Sequence, residues 1–175
     1  FLHPVFYDGQ GVMVRKNKNV STLKDLNGMR IGVEQGTTTE LNLTTALRKV
    51  GATAEIVVFD NQDAIVSAYE QGSIDAWTSD QSGIVSRLAS MQNPDEHQII
   101  SEVLSKEPLT PVIKAGDEQW FSITRWILYA LIQAEEFGIT QANVDQFLNS
   151  EDPAIRRFLG VEGDLYKDSG LDNDF

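Results

Sequence analysis

The chain has 175 residues, 41% of them hydrophobic and 23% charged, which is enough apolar material for one ordinary domain with a core and too much for wholesale disorder. Fourteen Lys+Arg against 26 Asp+Glu give a formal net charge of -12, so the average surface repels nucleic acid, and the basic residues are scattered apart from Arg15, Lys16 and Lys18. With no cysteine, disulfides and thiolate chemistry are excluded. No apolar run reaches the roughly 18 residues of a membrane span. Phe1-Leu2-His3-Pro4 has no basic segment followed by an apolar stretch, so no signal peptide is read there, and the front reads as cut.

Val5–Val14 reads as extended. Ser21–Leu26 reads as a short capped helical turn before Asn27-Gly28. Arg30–Val33 is a short buried strand that runs into Gly36-Thr37-Thr38-Thr39-Glu40, and a helix follows from Leu41 to Lys49, stopped by Gly51. Strand Glu55–Phe59, a helix from Asn61 to Glu70, strand Ile74–Trp77, a helix opened by Asp80 and a strand beginning at Gln98 come next. Strands alternating with helices at this spacing predict an α/β fold with a mostly parallel twisted sheet flanked by helices. After Pro111 the pattern turns helical. Trp120, Ile123, Ile127, Leu128 and Leu131 form an apolar stripe, and helices follow at 141–149 and 153–159. The tail after Gly163, rich in Asp, is expected to be loosely held.

Two clusters can carry chemistry. At Gly36, Thr37 and Thr38 a strand meets a helix start, where unpaired N–H groups, a partial positive charge and hydroxyl donors suit a carboxylate. Simple N-capping by Thr38 or Thr39 is the plainer reading of that segment taken alone. Asp80, at the end of the neighbouring strand, offers a carboxylate for an ammonium group, or a helix cap. Both clusters stand at the carboxyl ends of strands, where open α/β sheets bind ligands. An anion site beside an acid suits an α-amino acid. The other candidates are weak: Asp95, Glu96 and His97 read as a solvated loop rather than a metal site, and no GxxxxGK[ST], HExxH or GxSxG is present.

Several strings occur in order: Tyr7-Asp8-Gly9-Gln10-Gly11, Gly36 to Leu43, Ser79-Asp80-Gln81-Ser82-Gly83, Ser105-Lys106-Glu107-Pro108-Leu109, Gly116-Asp117-Glu118-Gln119-Trp120, Ala134-Glu135-Glu136 and Arg157-Phe158-Leu159-Gly160. Together they closely resemble the general and polar L-amino-acid-binding periplasmic proteins of ABC transporters, which have the type II periplasmic-binding-protein fold. The resemblance implies two lobes closing on a ligand. Residues 1–23 correspond to a crossing strand and a remnant of the first lobe, 24–104 to a complete second lobe, and 105–175 to the return crossing and C-terminal helices of a partial first lobe. It implies an L-amino-acid ligand, a membrane permease as partner, a periplasmic location, no cofactor, no metal and no catalysis. By position, Gly36, Thr37 and Thr38 fall to the ligand carboxylate, Asp80 to its ammonium, and Asn61 and Gln62 to its side chain. The amino-terminal part of the first lobe, with an arginine that pairs with the ligand carboxylate, has no counterpart here. Many members carry a cysteine pair where Gly32 and Ile74 stand. Two alternatives share the fold: a dehydratase acting on a prephenate-like acid, and the ligand-sensing domain of a receptor. The uncovered stripe on the C-terminal helices is expected to drive self-association or to fold back onto the second lobe.

Overall fold

The computed structural model describes residues 1–164 and Lys167. The chain divides into two compact units, one of Pro4–Leu109 and one of Phe1–His3 with Thr110 onward.

In the first, strands β1 (Phe6–Asp8), β2 (Gln10–Arg15), β3 (Arg30–Glu34), β4 (Glu55–Phe59), β5 (Ala76–Asp80), β6 (His97–Ile99) and β7 (Glu107–Leu109) alternate with helices α1 (Thr38–Val50), α2 (Gln62–Glu70) and α3 (Gln81–Leu88). Five strands form a sheet in the order β4-β3-β5-β2-β6, and β1 and β7 form a separate antiparallel ribbon. β3 pairs in parallel with β4 and β5, whereas β2 is antiparallel to both β5 and β6. Four strands therefore run one way and β2 runs against them, which gives the mostly parallel α/β sheet the sequence predicted.

Strand alternation sorts the core onto two faces. Val12, Val14, Ile31, Val33 and Ala76 pack with Leu43 and Leu47 of α1 on one face. Met13 and Trp77 pack with Ile65 and Tyr69 of α2 and Ile84 of α3 on the other. Gly51 ends α1 in the left-handed conformation, φ 70°, as its position predicted.

At Gly32 a side chain has no room. An added Cβ would stand 2.6 Å from Ile74 Cδ1 and 3.0 Å from Ile65 Cγ2. Position 32 thus lies directly beside position 74, where the resemblance puts a cysteine pair in other members. Gly32→Val should overpack this spot and lower stability by about 1–3 kcal/mol in urea unfolding. An unchanged midpoint would show that Ile74 moves aside freely.

Two local readings in this unit need correction. The strand placed at Ile74–Trp77 is Ala76–Asp80. Asp75 is drawn out of it as a clamp: its carboxylate accepts from Arg30 N at 3.0 Å, Arg30 Nε at 3.1 Å and Lys18 Nζ at 2.9 Å. Despite partial burial, these donors hold Asp75 well below its ordinary value. At its other end β5 is prolonged by pairing with β2, Gln10 opposite Asp80. His97 is not on a solvated loop. It opens β6, is buried, and its Nδ1 lies 2.8 Å from the Tyr69 hydroxyl.

In the second unit, α4 (Glu118–Glu136) is followed by α5 (Val144–Phe147) and α6 (Pro153–Phe158). The helix read at 141–149 shrinks to α5 because Asn143 caps the preceding turn, accepting from Thr140 N at 2.6 Å and donating to Gly138 O at 2.9 Å. α4 buries none of its residues, and Trp120 and Leu131 of the predicted stripe are 50% and 64% exposed. The segment Val112–Ile113 joins no strand. The tail after Gly163 lies almost wholly outside the described residues. Among those residues no helix is long and apolar enough to cross a membrane.

Candidate binding site

β3, β4 and β5 run in parallel, so Gly36–Thr38, Asn61–Gln62 and Asp80 all emerge at one edge of the sheet, the edge where β2 begins at Gln10.

Gly36 is exposed and adopts φ +71°, a conformation that favours glycine. Thr37 is the N-cap of α1, one residue earlier than the hydroxyls predicted to cap it, and no side chain caps this helix end. The Thr37 hydroxyl instead donates to Glu34 O at 2.8 Å. The first-turn N–H groups of a 13-residue helix are thus left without a side-chain acceptor, next to a glycine with no side chain in the way.

Asp80 precedes α3 but makes no capping hydrogen bond. It follows Ala76 and Thr78 on the α1 face, by the alternation that sends Trp77 to the other. Its carboxyl group stands beside that of Glu107. Burial, then the charges of Glu107 and Asp8, push its pKa above the ordinary 3.8. Asp8 and Glu107 are directly opposed in the β1–β7 ribbon. Asp8 behaves differently: burial raises it, but the Ser82 hydroxyl and the N–H groups of Gly9 and Ser82 outweigh this and hold it below its usual value. Two carboxyl groups held together, one of them destabilised as an anion, form a natural seat for a cation or a proton.

The structure therefore brings Gly36, Thr37, Thr38 and Asp80 to one edge and one face. Asn61 and Gln62 share the edge but head α2, which packs on the opposite face. Asn61 Oδ1 caps α2 through Ala64 N at 3.0 Å, and Gln62 Nε2 donates to Glu34 Oε2 at 2.8 Å. Sequence reasoning missed Gln10 and Glu107, although the strings containing both were noted. A separate groove of about 920 Å³ lies between the ribbon and α3, lined by Tyr7, Ser82, Val85, Val103 and Lys106 among others, and none of the six expected site residues borders it. Among the described residues no cluster of His, Asp or Glu is arranged to hold a metal ion.

Residues 8–100 match the family model described as NMT1/THI5 like. The chain belongs to this family. The general L-amino acid-binding periplasmic protein AapJ of Rhizobium johnstonii is 51% identical over 172 residues, 97% of this chain and 50% of AapJ. The glutamate/glutamine/aspartate/asparagine-binding protein BztA of Rhodobacter capsulatus is 44% identical over 97% of this chain and 51% of BztA. An ABC transporter/periplasmic binding protein from Brucella ovis, solved with glutathione bound, superposes with a TM-score of 0.88 at 40% identity, covering 98% of this chain and 55% of that one. This member of the NMT1/THI5-like family thus has periplasmic binding proteins as its relatives in both sequence and fold, as its motifs implied. The chain spans about half the length of the curated relatives it matches.

Proposed function

We propose that this chain supplies one wall of an L-amino-acid site in the periplasmic binding component of an ABC transporter, and that it binds rather than transforms its ligand. The observation that carries the reading is the pairing at one sheet edge of an uncapped helix N-terminus with an acid whose pKa burial and the neighbouring Glu107 and Asp8 carboxylates raise. The N–H groups of Gly36, Thr37 and Thr38 receive the ligand carboxylate, and Asp80 receives its ammonium group. Asn61 and Gln62, at the same edge, are assigned to the ligand side chain. Pro4–Leu109, which takes in β1, β2 and β7 beyond the expected bounds of 24–104, makes one lobe of the trap, and the chain from Thr110 returns to the other. A permease is the partner, and the periplasm the compartment, by analogy with the named relatives.

A thermal-shift panel of L-amino acids, run on the complete natural polypeptide containing this chain, tests the reading. The expected result is stabilisation by several L-amino acids and none by their des-amino analogues. A second ligand class belongs in the panel, because the Brucella ovis protein was solved with glutathione. Glutathione carries an α-amino-acid head group, so the same edge can grip it. Stabilisation by glutathione alone would replace free amino acids with this tripeptide, and no response to either would overturn the proposal.

For the isolated 175-residue chain we propose self-association through α4, since Trp120, Trp126 and Leu131 are at least half exposed there and such an apolar face favours a partner. Light scattering should report a dimer. A monomer at high concentration would refute it.

A further inference from the structure

Gln10 is an uncharged polar side chain that is 1% exposed. Its orientation is fixed by an acceptor that cannot donate: Nε2 gives one hydrogen bond to the carbonyl of Thr39, in the first turn of α1, at 2.9 Å. The same Nε2 donates to Thr78 Oγ1 at 2.9 Å, and that hydroxyl in turn donates to Gly11 O at 2.6 Å. One amide group therefore ties the head of α1 to both β5 and β2. The backbone of Gln10 reaches in the other direction. Its N–H donates to Ser105 Oγ at 2.9 Å, Ser105 Oγ donates to Glu107 Oε1, and the Glu107 carboxyl group stands beside that of Asp80. Gln10 is also the residue directly opposite Asp80 in the β2–β5 ladder.

Each half of the amino-acid site is thus connected to this residue. The helix end that would take the carboxylate hangs on its side chain, and the acid that would take the ammonium group stands across the ladder and at the end of its backbone chain. A methionine would fill nearly the same volume without burying an amide, and packing alone gives no reason for glutamine here. We propose that Gln10 is a positioning residue that sets the separation between the N-terminus of α1 and the Asp80 carboxylate, and so makes the site select the charge spacing of an α-amino acid over that of a longer one. The inference rests on the amino-acid reading above. It adds a determinant of selectivity that touches no part of the ligand.

The test uses two probes that differ by one methylene between their charges, L-glutamate and L-β-homoglutamate. Both are titrated calorimetrically into the complete natural polypeptide. The unsubstituted protein should prefer L-glutamate by about tenfold or more, the discrimination one methylene commonly supports. Gln10→Met should bring the two affinities toward parity. Because the variant can also weaken the fold, Thr78→Val and Thr78→Ser form a second pair: the valine removes the hydroxyl that anchors the amide and should erode the preference, and the serine restores that hydroxyl and should keep it. A loss of affinity equal for both probes, with the ratio intact in Gln10→Met and Thr78→Val, would make Gln10 merely structural and overturn the inference. Failure of the unsubstituted protein to bind either probe would instead overturn the underlying reading.

Discussion

Asp80→Asn, in the complete polypeptide, should weaken amino-acid binding by roughly 2–5 kcal/mol, because the ligand ammonium would be desolvated opposite a neutral amide. The same substitution should leave the ligand-free protein as stable or more stable near neutral pH. Burial and the charges of Glu107 and Asp8 raise the pKa of Asp80 in the folded state. A carboxyl group raised on folding binds its proton more tightly in the folded chain. Its ionisation therefore costs stability above the raised pKa, and that cost is relieved as pH falls towards the ordinary 3.8. Affinity moves the other way: acidification protonates Asp80 and removes the counter-charge, so binding should decline as pH falls through the raised pKa. Calorimetry and thermal melts on wild type and variant, at neutral and mildly acidic pH, read both effects. Unchanged affinity in Asp80→Asn would remove this residue from the site.

Trp77→Ala should have the largest effect on stability, a loss of about 3–5 kcal/mol, which is a large share of the roughly 5–15 kcal/mol typical of a domain. Trp77 is 1% exposed, lies in a central strand, and packs with Met13, Ile65, Tyr69 and Ile84 between the sheet and two helices. No small neighbour can collapse into the space of an indole ring. Trp77→Phe should cost much less: most of the ring is kept, and the buried Nε1–H, which has no acceptor among the described residues, disappears. Urea unfolding followed by circular dichroism measures both. A loss under about 1 kcal/mol for the alanine variant would mean that this cluster is not a packed core.

Features written in neighbouring residues were legible in the sequence. The short apolar run after Glu55 gave β4 to the residue, Gly51 gave the end of α1, and Pro153 gave the first turn of α6. The glycine and threonines after Val33 marked a helix start that the structure leaves uncapped. What local pattern could not supply was pairing between distant segments. β5 reaches Asp80 because β2 lies beside it, and nothing around Ile74 announces that neighbour. Glu107 meets Asp80 only because the ribbon folds β7 onto β1. His97 follows two acids and a proline, the local signature of a loop, but the Tyr69 hydroxyl makes its burial tolerable. Gln10 looked like part of a motif string, whereas its hydrogen bonds to Thr39, Thr78 and Ser105 are visible only in three dimensions.

The central claim is that the ligand's two charges dock at the head of α1 and at Asp80. Heteronuclear NMR of the complete polypeptide, titrated with the amino acid that stabilises it most, tests this directly. The largest amide shifts, within this chain, should fall at Gly36–Thr39 and at Asp80–Gln81, with smaller ones at Gln10. Saturable shifts confined to the groove beside Tyr7, Val85 and Val103, with Gly36–Thr39 unmoved, would contradict it.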